Sequence, residues 1–282
     1  MKLIKTGDGK YTMPIRQSDL NSFFLCPEQA RLKFAGLLPR RTTEAMALGT
    51  AVHAGIEADL AHGAARTDAI DVIAWQLENL IDSPDFEMVK LDTDTYFEYA
   101  FKCFDAWFDH IRPVIGDVVA VERTFKLPFA EYRLANDWIV KVELHGTIDC
   151  VTHKAIWDWK TANSSWRSSA WEKERWAVQP TIYTWAAQQL GLDTDPTTFS
   201  FGVMVKGKDP VDSKSAEIVT VRRDQRHWEW LRRQLEPLVH LVAADLPQWP
   251  LHDQGWHCSG TWCPVWSQCK GSHAEGEVHL IA

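Results

Sequence analysis

The chain has 282 residues, 45% hydrophobic and 24% charged, the balance of a globular protein with a substantial core. No apolar run approaches the roughly 20 residues that span a bilayer, and Met1–Gly7 lacks the apolar stretch of a secretory signal, so an intracellular protein is expected. A net charge of −8 excludes an indiscriminate nucleic-acid coat but leaves room for an enzyme with a local basic track. Candidate tracks are Arg31 with Lys33, Arg40-Arg41, Arg222-Arg223 with Arg226, and Arg232-Arg233; each also reads as a solvated helix face.

In chain order, residues 18 to 112 read as helical. Ser18 is the expected N-cap of a helix carrying Leu20, Phe23, Phe24, Ala30, Leu32 and Phe34. Further helices are predicted over about 44–61, 67–81 and 92–111. Residues 117–128 read as a strand that Pro128 ends. Val140, Val142, Leu144, Gly146 and Ile148 alternate into a strand closing at Asp149. A break at His153-Lys154 leads into a second strand through Ile156–Lys160, giving a hairpin. A helix over about 169–190 stops at Gly191. Strands at 198–206 and 216–222 and a helix over 224–244 precede a Trp- and Cys-rich tail. The pattern predicts an α/β core over 117–245, an N-terminal helical region over 1–116 and a cysteine region over 246–282, together one integrated domain.

The hairpin carries the chemistry. Side chains at i and i+2 share a face of a strand, so Asp158 and Lys160 point one way while Trp157 and Trp159 point the other. The turn brings Asp149 alongside. Two close carboxylates repel unless a divalent cation lies between them, and a lysine beside them can orient or help deprotonate a water. Metal-assisted phosphodiester hydrolysis fits best. On a predicted helix, His53 and Glu57 share a face with Gly49, whose missing side chain would allow close backbone approach. Gln179 and Tyr183 share a face of the helix after Lys160. Alone, both pairs read as ordinary polar stripes. Glu122, on the preceding strand, is more simply a salt-bridge partner of Arg123 or Arg133.

Six cysteines are present. Cys258-x4-Cys263-x5-Cys269 gathers three thiols in a loop, which in a reducing compartment points to a metal or iron–sulfur site. Cys26, before Pro27 at a helix break, is the natural fourth ligand; four thiolates suit a cubane cluster or zinc, and His257 could replace one thiol in a zinc site. Cys103 and Cys150 read as buried thiols.

Together, Ser18-x-Leu20, Cys26-Pro27, Arg31, Gly49-x3-His53, Gly146-x2-Asp149, Asp158-x-Lys160-Thr161, Gln179-x3-Tyr183 and the cysteine triplet resemble the RecB-like exonucleases of the PD-(D/E)XK superfamily, in the iron–sulfur branch that holds CRISPR-associated, AddB-type and phage exonucleases. The resemblance spans most of the chain. It implies a restriction-endonuclease-like core, a mixed central sheet flanked by helices, with a C-terminal iron–sulfur region. It implies Mg2+ or Mn2+ held by His53, Asp149, Asp158 and the carbonyl of Trp159, with Ile148 replacing the proline of the "PD" element. Lys160 would orient the attacking water, Gln179 and Tyr183 would support the site and touch the DNA backbone, and Cys26, Cys258, Cys263 and Cys269 would ligate a [4Fe-4S] cluster, with zinc as the alternative. Cys258-x4-Cys263 is longer than the two-residue spacing common in the CRISPR-associated members. The implied function is a DNA exonuclease acting on ends or single strands, in the cytoplasm of a bacterium or phage-infected host, as a homo-oligomer or with recombination proteins. The competing reading is a non-catalytic DNA-end-binding scaffold in a recombination or CRISPR-adaptation complex.

Overall fold

The computed structural model describes residues 2–38, 42–87, 92–252, 255, 257–266 and 269. In order, its elements are β1 (Ile4–Lys5), β2 (Tyr11–Arg16), α1 (Gln17–Leu25), α2 (Pro27–Phe34), β3 (Thr42–Thr43), α3 (Glu44–His62), α4 (Arg66–Ile81), β4 (Phe86–Glu87), α5 (Thr93–His110), β5 (Val118–Arg133), β6 (Ile139–Thr152), β7 (Ile156–Ala162), a 3-10 turn (Arg167–Ser169), α6 (Ala170–Trp176), α7 (Val178–Gln189), β8 (Thr198–Val205), β9 (Ala216–Arg222) and α8 (Gln225–Ala244). By internal contacts the chain divides into two compact units, Met1–Pro39 with Pro128–Leu144 and Arg232–Ala282, and Arg40–Leu127 with His145–Leu231. β5, β6 and α8 run through both. Among the described residues no helix is long and apolar enough to cross a membrane.

In the first unit β1 pairs antiparallel with β2, and Met13 and Ile15, two residues apart on β2, are fully buried. The backbone N–H of Arg16 donates to Asp19, so Arg16 and not Ser18 caps α1. Pro27 opens α2 after the break at Cys26, because proline lacks the N–H that a first turn leaves unpaired. Buried Glu28 accepts both arms of the Arg31 guanidinium, at 2.8 and 2.7 Å, and the Trp249 N–H at 2.7 Å. Arg31 is thus committed to structure, and Arg232 likewise stacks 4.7 Å over Phe129. Arg40-Arg41 lies outside the described residues.

In the second unit the sheet is mixed. β6 and β7 are antiparallel with Cys150 opposite Trp157, β7 and β8 are parallel with Asp158 opposite Phe201, and β8 and β9 are antiparallel; β5 pairs with β6. On one face, α3, α4 and α5 build the main core against Trp157, Trp159 and Met204. Tyr96, Ala100, Cys103, Phe104 and Trp107 give α5 its apolar stripe, and Asp92 caps it by accepting from the Thr95 N–H at 2.9 Å. α3 and α4 touch at Gly55, where a Cβ would lie 2.5 Å from Ile73 Cγ1. The close approach expected at Gly49 is not found: a Cβ there would meet only Thr161 Oγ1, at an ordinary 3.6 Å. α7, buried from Val178 to Ala187, packs against β7 and β8 and faces Asp158. Cys103 and Cys150 are buried in the core, and burial pushes both thiols up to about 12.

Other expectations need correction. β5 does not end at Pro128 but runs to Arg133. Proline is tolerated in an edge strand whose N–H side needs no ladder partner. The helix predicted over 169–190 is broken at Ala177, whose ψ of 120° is extended. The Pro180 ring would clash with the carbonyl four residues earlier, so the chain restarts a helix with Pro180 in its first turn. The short strands β1 to β4 lie in stretches read as loop or helix.

Candidate active site

The antiparallel ladder of β6 and β7 carries Cys150 opposite Trp157, so the next register position sets Asp149 opposite Asp158. There the backbone ladder gives way to a side chain: the Trp159 N–H donates to Asp149 Oδ2 at 2.9 Å. Period-two alternation then places the Trp157 and Trp159 rings, stacked at 5.7 Å, in the helical core. Asp158 and Lys160 turn toward α7.

Asp158 is 2% exposed. Its Oδ1 accepts from Gln179 Nε2 in a short bond, and its Oδ2 lies 2.5 Å from Lys160 Nζ. The Lys160 ammonium is thus the partner of the buried Oδ2, the side of the carboxylate away from Gln179. Burial opposes the Lys160 charge, but Asp158 and Asp149 outweigh it and hold the ammonium above its ordinary range. Tyr183, one turn beyond Gln179, hydrogen-bonds it and packs edge-on against Phe125 at 5.8 Å. Burial, then Asp158 and Asp149, disfavour its phenolate. Gly146 makes room for this pair, since a Cβ there would lie 2.8 Å from Phe125 Cζ and 3.1 Å from Tyr183 Cε1.

From α3, His53 reaches the same strand ends. Its Nε2 donates to the Trp159 carbonyl at 2.7 Å, which leaves the Nδ1 lone pair 3.4 Å from Asp149 Oδ2. Two acceptors so placed repel unless a proton or a cation lies between them. Gly49, His53 and Glu57 follow one face of α3 into an open cleft with Glu122 and Asp149.

Glu122 is the residue that sequence reasoning missed. Its carboxylate joins His53 and Asp149, with one ligand atom from each lying within 4.8 Å of the others, whereas Arg133 pairs with Asp137. A φ of 47° turns it out of the strand alternation, a conformation uncommon for a residue with a Cβ. No period in the sequence announces such a departure; four apolar residues before it (Val118–Val121) give the only local hint of burial. Burial, then Asp149 and Glu57, raise its carboxyl to about 7. Burial and Asp158 raise Asp149, against His53, Lys160 and the Trp159 N–H. Carboxylates forced together at such cost, with an imidazole nitrogen beside them, fit a divalent cation.

A sequence model of the PD-(D/E)XK nuclease superfamily matches residues 15–270. The chain belongs to that superfamily. The matched span holds His53, Glu122, Asp149, Asp158, Lys160, Gln179, Tyr183 and all six cysteines, and the mixed sheet between helices is consistent with a PD-(D/E)XK core. A crystal structure from Eubacterium rectale, described as a "Putative exonuclease", aligns with a TM-score of 0.45 and 11% identity over 86% of each chain, too weak a likeness to carry an argument. The comparison with curated proteins gives no match.

In the first unit, Cys26, Cys258, Cys263 and Cys269 line one small cavity, together with Leu251, His252 and Val265. Burial raises the Cys263 thiol, and the other three sulfurs raise it further. His252 lines the cavity, and its ring stands 5.0 Å from that of His257.

Proposed function

We propose that this PD-(D/E)XK protein is a metal-dependent DNA exonuclease working on ends or single strands. The observation that carries the reading is the meeting of His53, Glu122 and Asp149 beside the Asp158–Lys160 pair. His53, Asp149, Asp158 and the second lone pair of the Trp159 carbonyl would hold the ion, with Glu122 added to the set. Oxygen donors suit Mg2+ and Mn2+, and the imidazole tilts the choice toward Mn2+. When bound, such an ion supplies Lewis acidity at the scissile phosphate and a more acidic water. Lys160 places its ammonium where negative charge develops. Gln179 fixes the Asp158 carboxylate, Tyr183 holds Gln179, and the pair faces the DNA backbone. Cys26, Cys258, Cys263 and Cys269 bind a [4Fe-4S] cluster; their grouping around one cavity supports this over four unrelated thiols.

Digestion of 5′- and 3′-end-labelled strands with Mn2+ tests activity, polarity and strand preference together. Asp158→Ala and Lys160→Ala should each abolish degradation without loss of fold, and EDTA should stop the wild type. Undiminished cleavage by both variants would falsify these roles. For the cluster, anaerobic protein should be brown and contain iron and acid-labile sulfide; a colourless, zinc-loaded preparation would replace it with a zinc site.

A further inference from the structure

A second cleft opens in the second unit, where the α6–α7 break meets the start of α8. Arg175, Trp176, Thr181, Arg223, Arg226 and Trp230 line it. Its floor is fixed by Arg223, which is 2% exposed. Arg223 Nε donates to Thr181 Oγ1 at 3.0 Å, and its Nη2 donates to the carbonyls of Lys173 and Ala177 at 3.1 and 3.2 Å. One guanidinium thereby ties the end of β9 to both helices.

The walls differ from the floor. Trp176 is 62% exposed and Trp230 44%, unusual for side chains whose large apolar area normally favours the core. The Arg175 guanidinium lies 4.8 Å over one face of the Trp176 ring, which steadies the indole at the surface. Arg226, with its side chain 85% exposed, gives Nε and Nη2 to Asp224 Oδ2 and keeps Nη1 for another acceptor. The nearby carboxylates are Asp224 and Glu174, the latter 3.5 Å from Arg223. With Arg223 satisfied inside the floor, Arg175 and Arg226 are the cations at the walls of this cleft.

We propose that this cleft binds a single-stranded segment of nucleic acid, with a base stacked on Trp176 and phosphates at Arg175 and Arg226. Flat aromatic faces interleaved with arginines are the means by which proteins hold unpaired strands without reading their sequence. A duplex hides its base faces, and a peptide of aspartate and glutamate offers no aromatic face to the indoles. The proposal rests on the nuclease reading of the carboxylate site and deepens it. α7 carries Gln179 and Tyr183 toward Asp158 and Thr181 toward the cleft, so about one helix diameter, roughly 10 Å, separates the two. A strand crossing the start of α7 reaches both.

The test uses the full chain in EDTA and a fluorescent oligothymidylate followed by anisotropy. Trp176→Ala should weaken binding about tenfold. Arg226→Ala should weaken it and reduce the log–log salt slope by roughly 0.7. Both residues are exposed, and unchanged thermal melts would show that the fold persists. Both variants should hydrolyse bis(p-nitrophenyl) phosphate in Mn2+ at the wild-type rate, because that small diester needs no strand in the cleft and neither residue touches His53, Glu122, Asp149 or Asp158. Wild-type affinity and salt slope in both variants would overturn the proposal. So would equally good competition by duplex DNA, or by polyglutamate, which would make the cleft a peptide site. If wild-type protein binds the strand but hydrolyses neither substrate, the nuclease reading fails and the cleft stands.

Discussion

Glu122 joins backbone strain to a place among the candidate metal ligands. A positive φ on a residue with a Cβ costs of order 1–3 kcal/mol and persists only where the surroundings enforce it. Here the enforced conformation brings a carboxylate to His53 and Asp149. Replacing Glu122 by Gln keeps the shape and removes the charge. The Mn2+ concentration for half-maximal activity should then rise by at least roughly tenfold, in line with losses seen around metal sites. Melting in EDTA at pH 7.5 should move upward, because the repulsion among Glu122, Asp149 and Glu57 is relieved. An unchanged Mn2+ requirement would remove Glu122 from the ligand set. Gln179→Leu probes the other side of the site. It strips the Asp158 carboxylate of its amide donor and leaves a buried acceptor unpaired, a loss of about 1–3 kcal/mol. Single-turnover cleavage should slow by about tenfold or more; retention of the wild-type rate would show that Gln179 only fills space.

At the scale of elements, the α3–α4 contact makes a sharp prediction about packing. Alanine at position 55 gains helix propensity of about 1 kcal/mol, but its Cβ would lie 2.5 Å from Ile73 Cγ1 and 3.1 Å from the Ala69 carbonyl. Overpacking costs typically about 1–3 kcal/mol, so Gly55→Ala should lower the melting temperature, and in an Ile73→Ala background, itself destabilised by the cavity left in the core, the same change should cost less than in the wild type. A higher midpoint for Gly55→Ala alone would show that α4 shifts freely. The same contrast explains what the sequence made readable. Strong periodicity announced α3, α4, α5, the β6–β7 hairpin, β8, β9 and α8, and the hairpin's parity put Asp158 and Lys160 opposite the tryptophans. The features that stayed hidden depend on backbone events with no period. Among them are the left-handed turn at Glu122, the passage of β5 through Pro128 and the break at Ala177. The two-residue strands β1, β3 and β4 are too short for alternation to register. The tight contact of α3 with α4 at Gly55 also escapes the sequence, because which glycine meets a neighbour is a tertiary fact.

Over the whole molecule, the clustered carboxylates set a pH dependence of stability opposite in sign to that of ordinary surface acids. Glu122 is raised to about 7 from 4.5, and Asp149 is raised as well, from 3.8. The folded chain therefore binds more protons than the unfolded chain between about pH 4 and 7. This contribution is fully present below the unfolded values and is lost as pH rises through the folded ones. Asp195 acts the other way. Burial would raise it, but bonds from Thr197 and Thr198 hold it below its ordinary range, so its contribution is lost only on acidification below about pH 4. The two effects occupy separate windows. A one-proton difference across one pH unit is about 1.4 kcal/mol, and about 1 kcal/mol moves the midpoint by roughly 2–4 °C in chains a little shorter than this one. Melting in EDTA should accordingly fall by several degrees between pH 5 and pH 7.5. Mn2+ should reverse the trend, since it binds only the folded ligand set and needs those carboxylates deprotonated. Its stabilising increment should be larger at pH 7.5 than at pH 5, and Asp149→Asn should flatten both curves. A midpoint in EDTA that rises steadily from pH 5 to 7.5, with a pH-independent Mn2+ increment, would mean that these carboxylates are not forced together in the folded protein.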